Sequence, residues 1–281
     1  MPELAELNLS SQMVNRVTKS KVFTHIRKNP EHKGLEVEAP YEKFTIESIS
    51  RGKELLLVLN DYTSIYKHSE TTLKFTFGMA GHFKYTKTGE EKKHSHLMFY
   101  TNDGYTLSYV DVRRFGKWKW VDDWSTNRGP DPTKEYDAFT DNIIHNLDKA
   151  AFNHPIHTVL MNQSYFNGIG NYLRAEILYR LPWINPFEPA REILKREPDL
   201  FVLCRDIPLQ AYKLGGGQLK DWENPFSTDP EPLRQFMRCY GNPQMAKRKD
   251  KNGRMFWYDS KWNDDALWDH YSGLPNPSAY L

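Results

Sequence analysis

The first part of the chain changes from a helical to a strand pattern of apolar positions. Near the start, apolar residues recur at the spacing of one helix face: Leu4, Leu7, Leu9, Met13 and Val14. From about residue 22 to residue 120, short apolar or alternating runs predict strands, most clearly at 54–59, 73–77, 96–100 and 106–112. A turn around Gly104 joins the last two runs as a hairpin. Because no helical pattern interrupts these strands, they predict an antiparallel sandwich or barrel.

Helical spacing returns after a polar segment. Residues 124–135, rich in Asn, Gly, Asp and Pro at 127–132, have the composition of a linker. The following pattern predicts helices over 136–147, 155–161, 171–180 and about 190–214, and then a flexible loop beginning with three glycines at 215–217. We therefore predict an α+β chain with a β domain (1–123), a linker (124–135), a helical domain (136–230) and a terminal hairpin region (231–281).

Composition narrows the class of protein. The 281 residues are 39% apolar and 26% charged, and no apolar run approaches the roughly 18 residues of a membrane helix. The start lacks a basic-then-apolar signal pattern, so secretion is not expected. Two cysteines, Cys204 and Cys239, are too few for a disulfide framework, which fits a reducing compartment. The net charge of +2 does not itself indicate nucleic acid. A cluster of five cations around one acid at 247–254 is also what a solvated turn contains.

The stretch 162–180 combines a turn-rich start with a helix. Gly168 and Gly170 precede Asn171, which we interpret as the N-cap of the helix. Backbone N–H groups at such a helix start can bind a phosphate, because free amides and the helix dipole both favour an anion. An ordinary interhelical turn with a glycine bend explains the same residues, and the stretch alone does not decide between them.

The N-terminus offers a nucleophile. If the initiator methionine is removed, Pro2 becomes a secondary amine, and α-amines have a pKa of about 7.7–8.0. The neutral fraction can attack an aldehydic carbon and form an iminium, with Glu3 beside it as a proton donor. The simpler interpretation is a proline that opens a helix.

Three turns of the β region carry candidate contact residues. Lys53 precedes a strand, Met79 lies in a glycine-flanked loop at 77–81, and Arg113 and Phe115 lie at a strand end. Apolar tips among arginines are suited to enter a base stack. The alternative places Met79 and Phe115 in the core and the arginines in salt bridges.

The last segment predicts a hairpin at Asn252-Gly253, with Arg254 first on the returning strand. A small hairpin needs a metal or packing, and only Cys239 is available as a ligand there, so we predict no zinc and packing by Phe256 and Trp257. His94 and His96 could meet on one strand face, but without a third ligand we interpret them as polar edge residues.

Together these motifs resemble the formamidopyrimidine-DNA glycosylase/endonuclease VIII family, and most of all its animal Nei-like members with a zincless finger. The resemblance follows the family order over nearly the whole chain: Met-Pro-Glu at 1–3, Arg-Gly-Lys-Glu-Leu at 51–55, Phe-Gly-Met-Ala-Gly at 77–81, Val-Asp-Val-Arg-Arg-Phe-Gly at 110–116, the stretch 166–180 and the Arg254 hairpin. It implies two lobes with DNA between them: an N-terminal helix with a β-sandwich, and a helix–two-turn–helix with the hairpin.

The resemblance also implies residue roles. Pro2 would attack C1′ of the damaged nucleotide, Glu3 would act as general acid/base, and Lys53 would contact the lesion strand and assist proton transfer. Asn171 and Arg254 would bind phosphates. Met79, Arg113 and Phe115 would fill the space left by a flipped base, and the supporting residues would be Glu6 near the lesion and Glu176 bracing the turn.

The implied activity is that of a bifunctional DNA glycosylase/AP lyase in base excision repair. It would remove oxidised pyrimidines, formamidopyrimidines and, among further candidates, hydantoins, by a Schiff base and β,δ-elimination. No cofactor and no metal are expected. The implied partner is damaged DNA, as duplex, bubble or single strand, without a membrane. A monomer is expected, located in the nucleus if the source is eukaryotic and otherwise in the cytoplasm.

Three departures from the family pattern affect the expectation. Ala5 stands where the family usually has proline, and Gly217 stands where the nearest vertebrate relatives have a basic lesion-contacting residue, with Lys220 as a candidate substitute. The sequence also ends at Leu281 without the long basic tail of those relatives. Lesion preference is therefore left open.

Two other classes of function remain to be compared. A catalytically silent DNA-binding module would keep the helix–two-turn–helix and bind DNA without cleaving it. A tautomerase could use the Pro2 amine on small carbonyl compounds, but it would have no use for a basic hairpin or exposed wedge loops.

Overall fold

The computed structural model describes residues 2–63, 69–216, 229 and 231–263, which form two compact units. The first, here called the β-unit, contains residue 2, residues 6–124 and residues 215–216 within the described range. The second, the helical unit, contains residues 3–5, 125–214 and the described residues from 229 onward. None of the helices in these described ranges is long and apolar enough to cross a membrane.

Helix α1 spans Leu4–Thr18, as the apolar spacing predicts. Leu7, Met13 and Val14 pack in the core of the β-unit, whereas Leu4 and Ala5 pack in the core of the helical unit. At the C-terminal end, the Thr18 hydroxyl lies 2.9 Å from the carbonyl oxygens of both Val14 and Ile46. The helix is therefore tied to a strand where it ends.

Among its described residues, the β-unit contains eight strands in one antiparallel sheet, in the order β5-β7-β6-β1-β2-β3-β4-β8. The strands are β1 Phe23–Lys28, β2 Phe44–Arg51, β3 Glu54–Asp61, β4 Glu70–Thr76, β5 His82–Lys87, β6 Ser95–Thr101, β7 Tyr105–Val110 and β8 Lys117–Val121. The hairpin predicted around Gly104 is confirmed as β6 and β7, and Gly104 has the positive φ of 84° that this tight turn needs.

The sheet folds over and packs against itself. Phe75 on β4 lies 5.1 Å from Phe83 on β5 and 5.2 Å from Tyr109 on β7, measured between ring centroids. Because β5 and β7 are at the opposite end of the strand order from β4, the two ends of the sheet must face each other across this aromatic core. The predicted antiparallel sandwich is therefore confirmed, and its core excludes water by aromatic and aliphatic packing.

The helical unit contains six α-helices and a two-stranded hairpin among its described residues. They are α2 Tyr136–Ile144, α3 Ile156–Val159, α4 Asn171–Tyr179, α5 Ala190–Arg196, α6 Asp199–Lys213, α7 Glu231–Phe236, β9 Ala246–Lys249 and β10 Met255–Tyr258. The helical pattern over 190–214 divides at Glu197, which is extended (φ −123°, ψ 77°). The cause is Pro198, which disfavours a helical conformation in the residue before it.

The polar segment interpreted as a linker is held within the helical unit. Gly129 N donates to Gln163 O (2.9 Å), and the Asn167 side-chain amide donates to Gly129 O (2.8 Å). Asp131 is buried and its side chain accepts from the backbone N–H of Thr133. Residues such as Asn, Asp and Gly favour linkers and tight turns equally. Here they form turns that fasten residues 125–135 to the start of α4.

The terminal hairpin differs from the prediction in its loop and its packing. The loop has three residues, 251–253, because Asp250 N donates to Arg254 O, and Gly253 takes the positive φ (72°) of a bulged turn. Arg254 therefore lies before β10 and not on it. Phe256 and Tyr258 are the buried residues of β10, while Trp257 is only partly buried and lies under Lys247. Strand alternation decides this, since Phe256 and Tyr258 share one face.

Candidate active-site and nucleic-acid-binding residues

The carboxylate of Glu3 occupies the N-terminus of α4. It accepts hydrogen bonds from the backbone N–H groups of Gly170 (2.9 Å), Tyr172 (3.0 Å) and Leu173 (3.1 Å). A Cβ on Gly170 would lie 2.3 Å from Glu3 Cδ, so only glycine admits the carboxylate there. The start of this helix therefore does bind an anion, as predicted. The anion is the carboxylate of Glu3, however, and these three N–H groups are not available to a phosphate.

Asn171 is the first residue of α4, and the N-cap is Gly170, so the prediction of an Asn171 cap is wrong. Glu3 supplies the capping oxygens from a distant part of the chain, which local sequence cannot show. The Asn171 side chain is used elsewhere. Its amide nitrogen donates to Met255 O (2.8 Å), and its oxygen accepts from Arg174 (2.7 Å). Asn171 thus joins helix α4 to the terminal hairpin.

Arg254 lies at the exposed end of this hairpin. Its backbone N–H donates to Asp250 Oδ1 (2.9 Å), while the other Asp250 oxygen pairs with Arg174. Asp250 is the one acid in the basic cluster at 247–254, and it is turned inward. Arg254 and the neighbouring exposed lysines at 247, 249 and 251 therefore present positive charge outward. Such a surface is suited to phosphate groups.

Glu176 braces the segment before the hairpin. Its fully buried carboxylate accepts from the backbone N–H groups of Arg238, Cys239 and Tyr240 and pairs with Arg180 at 2.6 Å. The turn that it holds is thus at 238–240, not the helix–two-turn–helix turn. Burial raises the pKa of Cys239 to about 12, so the free thiol stays protonated at neutral pH.

Two exposed loops of the β-unit carry the predicted wedge residues. Met79 is 40% exposed and Phe115 is 54% exposed, so the alternative that places them in the core is wrong. The Arg113 guanidinium lies over the Phe115 ring, 5.1 Å from its centroid. The neighbouring Arg114 does form a salt bridge, with Glu31 at 3.2 Å. The three predicted side chains therefore have the exposure that a wedge needs.

The two loops meet at glycines. A Cβ on Gly78 would lie 2.7 Å from the Phe115 carbonyl carbon, and Cβ atoms on Gly81 and Gly116 would lie 2.0 and 1.8 Å from the Tyr109 hydroxyl oxygen. Buried Asp111 closes the second loop by accepting from the N–H groups of Arg113 and Gly116. Tyr109 and these glycines bring Met79 next to the Arg113–Phe115 loop, which sequence spacing does not reveal.

His96 does not behave as the edge residue expected, whereas His94 is partly exposed in the turn before β6. His96 is fully buried, with Nε2 2.8 Å from Asp111 O, and its ring lies 4.6 Å from that of His32. Burial lowers the pKa of both His96 and His32, which favours neutral imidazoles. Over the described part of the chain, no group of three or more His, Cys, Asp or Glu residues is placed to hold a metal ion.

The remaining predicted residues are divided between the units. Pro2, Glu6 and Lys53 belong to the β-unit, whereas Glu3, Asn171 and Arg254 belong to the helical unit. Lys53 is partly buried in the β2–β3 turn after Gly52, whose φ is 56°. Glu6 is buried, and a Cβ on Gly216 would lie 3.0 Å from its Oε1. Gly217 and Lys220 lie outside the described residues.

Comparison with known proteins finds similar sequences over most of the chain. Residues 1–118 match the formamidopyrimidine-DNA glycosylase N-terminal domain, and residues 229–261 match the endonuclease VIII-like 1 DNA-binding domain. Human endonuclease 8-like 1 is 37% identical over 293 residues, covering 92% of this chain and 72% of the relative. The mouse protein of the same name is 37% identical over 294 residues, with the same coverage.

The chain belongs to the formamidopyrimidine-DNA glycosylase/endonuclease VIII family. Solved members of this family share its fold. MutM (Fpg) from Thermus thermophilus has a TM-score of 0.73 at 23% identity, covering 93% of this chain and 98% of its own. A Lactococcus lactis Fpg variant in complex with Fapy-dG-containing DNA has a TM-score of 0.73 at 22% identity, covering 94% and 100%. At this identity the similarity establishes the fold.

Residues missed by sequence reasoning connect the predicted ones within this glycosylase fold. They are Asp111 and Tyr109 behind the wedge loops, and Arg174 and Asp250 behind Asn171 and Arg254. One signal was available: Arg174 interrupts the apolar face of α4, where an unpaired charge would be costly. Its partner, Asp250, is 76 residues away along the chain and could not be identified from spacing.

Proposed function

We propose that this protein excises oxidised bases from DNA in base excision repair, as a bifunctional glycosylase and AP lyase with Pro2 as nucleophile. Family membership supports the reaction class. The observation that carries the residue assignment is the position of Glu3. A carboxylate directly after the proposed nucleophile is held by three backbone N–H groups at a helix N-terminus. A group that must exchange protons with the reacting nucleotide needs such a fixed orientation.

The Pro2 amine would attack C1′ of the damaged nucleotide and break the glycosidic bond. The base leaves with the bonding electrons and takes a proton. The C1′–O4′ bond of the sugar then breaks, O4′ takes a proton, and the nitrogen and C1′ form an iminium. The iminium withdraws electrons, so a C2′ proton becomes acidic. Loss of that proton expels the 3′ phosphate by β-elimination, and a second elimination expels the 5′ phosphate. Glu3 would supply and accept these protons, and Lys53 would contact the lesion strand and assist.

Recognition would be divided between phosphate contacts and base displacement. Asn171 and Arg254 would hold phosphates, which positions the duplex without reading its sequence. Attack at C1′ requires the damaged nucleotide to leave the stack. Met79 would fill the vacated space, Arg113 would face the orphaned base and Phe115 would wedge beside it. Their exposure on adjoining loops supports this assignment.

The nucleophile is tested by trapping with borohydride. Reduction of the iminium should give a covalent complex between the protein and DNA that contains an oxidised base or an abasic site. A form that retains Met1 has a blocked proline nitrogen and should give no complex. Pro2→Gly is a control rather than a test, since an α-amine remains. Equal trapping with Met1 retained would exclude Pro2.

The substrate class is tested with duplexes bearing thymine glycol, formamidopyrimidine, a hydantoin or 8-oxoguanine. We expect excision of the first three. Strong excision of 8-oxoguanine opposite cytosine, with none of pyrimidine lesions, would contradict the Nei-like assignment. A silent DNA-binding module predicts binding to these duplexes with no strand cleavage, so the same gel separates the two functions.

We also propose that the protein acts as a monomer on damaged DNA and, in a eukaryotic source, in the nucleus. The human and mouse relatives support a eukaryotic repair role. Sedimentation with and without lesion DNA tests the first statement, since one protein per DNA is expected. Imaging of the tagged protein tests the second.

A further inference from the structure

We infer that Arg174 is the positioning residue that holds the proposed phosphate-binding residues Asn171 and Arg254 in one fixed arrangement. The inference rests on the proposed function of those two residues. It concerns a fully buried side chain that has no role in the proposed reaction.

Arg174 lies on α4 with none of its side chain exposed. One guanidinium nitrogen, Nη2, donates to Asn171 Oδ1 at 2.7 Å and to Asp250 Oδ2 at 2.9 Å. The other, Nη1, donates to His157 O at 3.2 Å. The guanidinium carbon lies 4.8 Å from the centre of the Phe256 ring. One rigid planar group therefore contacts helix α4, the residue before the hairpin loop and the returning strand β10.

Through Asp250, this contact reaches Arg254. The carboxylate uses Oδ2 for Arg174 and Oδ1 for the backbone N–H groups of Asn252 and Arg254, at 3.0 and 2.9 Å. A shift of the Arg174 guanidinium would move Asp250 and, with it, the backbone of the three-residue loop. The orientation of Arg254 at the end of the hairpin therefore depends on Arg174 of α4.

Through its other contact, Arg174 orients Asn171. The amide oxygen of Asn171 accepts from Arg174, so the amide nitrogen must point the opposite way, where one of its hydrogens bonds Met255 O. An amide nitrogen carries two hydrogens, and the second can be donated to a phosphate oxygen. The contact with Arg174 removes the alternative orientation of the amide, in which an oxygen would face the phosphate and repel it.

A buried ion pair is not an efficient way to stabilise a fold. Desolvation offsets most of the attraction, and apolar replacements are often equally stable. Burial lowers the pKa of Arg174, and Asp250 acts in the opposite direction. The arrangement is better explained by the orientation that it gives to its partners than by its contribution to stability. A guanidinium donates several N–H groups in a fixed plane, which a lysine does not. Pre-orientation reduces the entropy that is lost when a side chain binds its ligand.

The test compares Arg174→Met with the double variant Arg174→Met/Asp250→Asn. The single variant leaves Asp250 as an unpaired carboxylate, so both stability and DNA binding should fall. The double variant removes that charge and keeps an oxygen to cap the loop. Its melting temperature should return towards that of the parent, but its DNA affinity should not, because Arg174 no longer orients the Asn171 amide or joins the capped loop to α4.

Salt dependence supplies a readout that a merely structural role does not change. Loss of the Arg254 phosphate contact should make the slope of log K against log salt shallower by about 0.9, whereas loss of the neutral Asn171 contact lowers affinity without changing the slope. The double variant should therefore lose about one unit of slope. KM for lesion duplex should rise by roughly tenfold or more, as expected for one to two lost contacts. The rate of borohydride trapping at saturating DNA should remain close to that of the parent, because Pro2 and Glu3 are unchanged.

Arg180→Met is the matched control. Arg180 follows directly at the end of the same helix, pairs with Glu176 and covers the Phe236 ring at 4.4 Å, but it contacts neither Asn171 nor Asp250. The variant should lower stability and leave the salt slope unchanged. A double variant with the parent's salt slope and KM would overturn the inference, as would an equal loss of slope in Arg180→Met.

Asn171→Ala and Arg254→Ala separate this inference from the proposed function. Arg254→Ala should lower DNA affinity and reduce the salt slope by about 0.9, whereas Asn171→Ala removes no charge and should lower DNA affinity with the slope unchanged. If neither lowers DNA affinity, the proposed phosphate contacts are wrong, and the inference fails with them. If both lower it while the Arg174 double variant does not, the phosphate contacts stand and the inference alone is wrong.

Discussion

The wedge loops of the β-unit and the α4–hairpin region of the helical unit are constructed in opposite ways. Met79 and Phe115 are exposed apolar tips, anchored by glycines that pack against Tyr109. Asn171 and Arg254 are polar, and their positions depend on hydrogen bonds to buried charged residues. The difference agrees with the proposed roles, because a side chain that enters a base stack has to be accessible, whereas one that binds a phosphate gains from being oriented beforehand.

Because of this difference, removing a buried charged side chain should lower stability more in the helical unit than in the β-unit. Glu176→Ala would leave three backbone N–H groups and Arg180 without their carboxylate. We expect a loss of about 3–5 kcal/mol, which is the usual cost of breaking a buried pair. Chemical denaturation followed by the fluorescence of the tryptophans should show it. The exposed Glu192→Ala on α5 should change stability by less than about 0.5 kcal/mol; similar losses in both would contradict the comparison.

The stability of the two wedge loops should depend on side-chain volume at their glycines rather than on buried charge. Gly116→Ala would place a Cβ 1.8 Å from the Tyr109 hydroxyl oxygen and 3.1 Å from Thr76 O. Overpacking of this kind costs about 1–3 kcal/mol. Thermal unfolding should show the loss and its partial recovery in Gly116→Ala/Tyr109→Phe, where the oxygen is absent. An equal loss with and without the hydroxyl would show that Tyr109 does not set the spacing of the loops.

The tips of the wedge loops should affect DNA processing but not folding. Phe115→Ala removes an exposed ring, so the melting temperature should barely change, in line with surface substitutions of about 0.5 kcal/mol or less. Loss of one stacking contact should weaken lesion processing by about 1–3 kcal/mol. Single-turnover cleavage of lesion duplex measures this, with Ile144→Ala as a control at an exposed apolar residue of the helical unit. A clear loss of stability in Phe115→Ala would place this side chain in the fold rather than at the interface.

Lowering the pH should slightly reduce the stability of both units, and that of the helical unit more. Burial, followed by the charge of Arg174, holds the pKa of His157 well below 6.5, and burial also lowers that of His96 in the β-unit. Below about pH 6.5 the unfolded chain therefore binds more protons than the folded chain, so stability is fully present above that pH and falls as pH decreases. Each histidine contributes a slope of at most about 1.4 kcal/mol per pH unit.

His157→Phe should flatten this dependence of stability on pH between pH 6.5 and 5, while His145→Phe, at an exposed position, should not. An unchanged slope in His157→Phe would contradict a neutral, buried His157.

Local pattern predicted much of the fold. The apolar spacing located α1, and alternation located the strands and the Gly104 turn, because these elements bury one face and repeat at a regular period. Predictions that depended on distant partners were less successful. Asn171 is not an N-cap because Glu3 caps the helix, and His96 is buried because Asp111 offers its carbonyl oxygen. Nothing in the spacing of either residue indicates the partner.

The amino-acid sequence by itself determined which chemical groups are present: a proline at position 2 with a carboxylate beside it, Met79 and Phe115 in turns next to glycines, and a basic hairpin at Arg254. Their order along the chain was sufficient to indicate the family. Only the tertiary structure decided how these groups are held. Glu3 takes the helix amides that a phosphate was expected to occupy, Tyr109 sets the two wedge loops side by side, and Arg174 joins Asn171 to the hairpin. The reason is physical: hydrogen bonds and close packing depend on distances in space, and residues far apart in sequence can satisfy them only after the chain has folded.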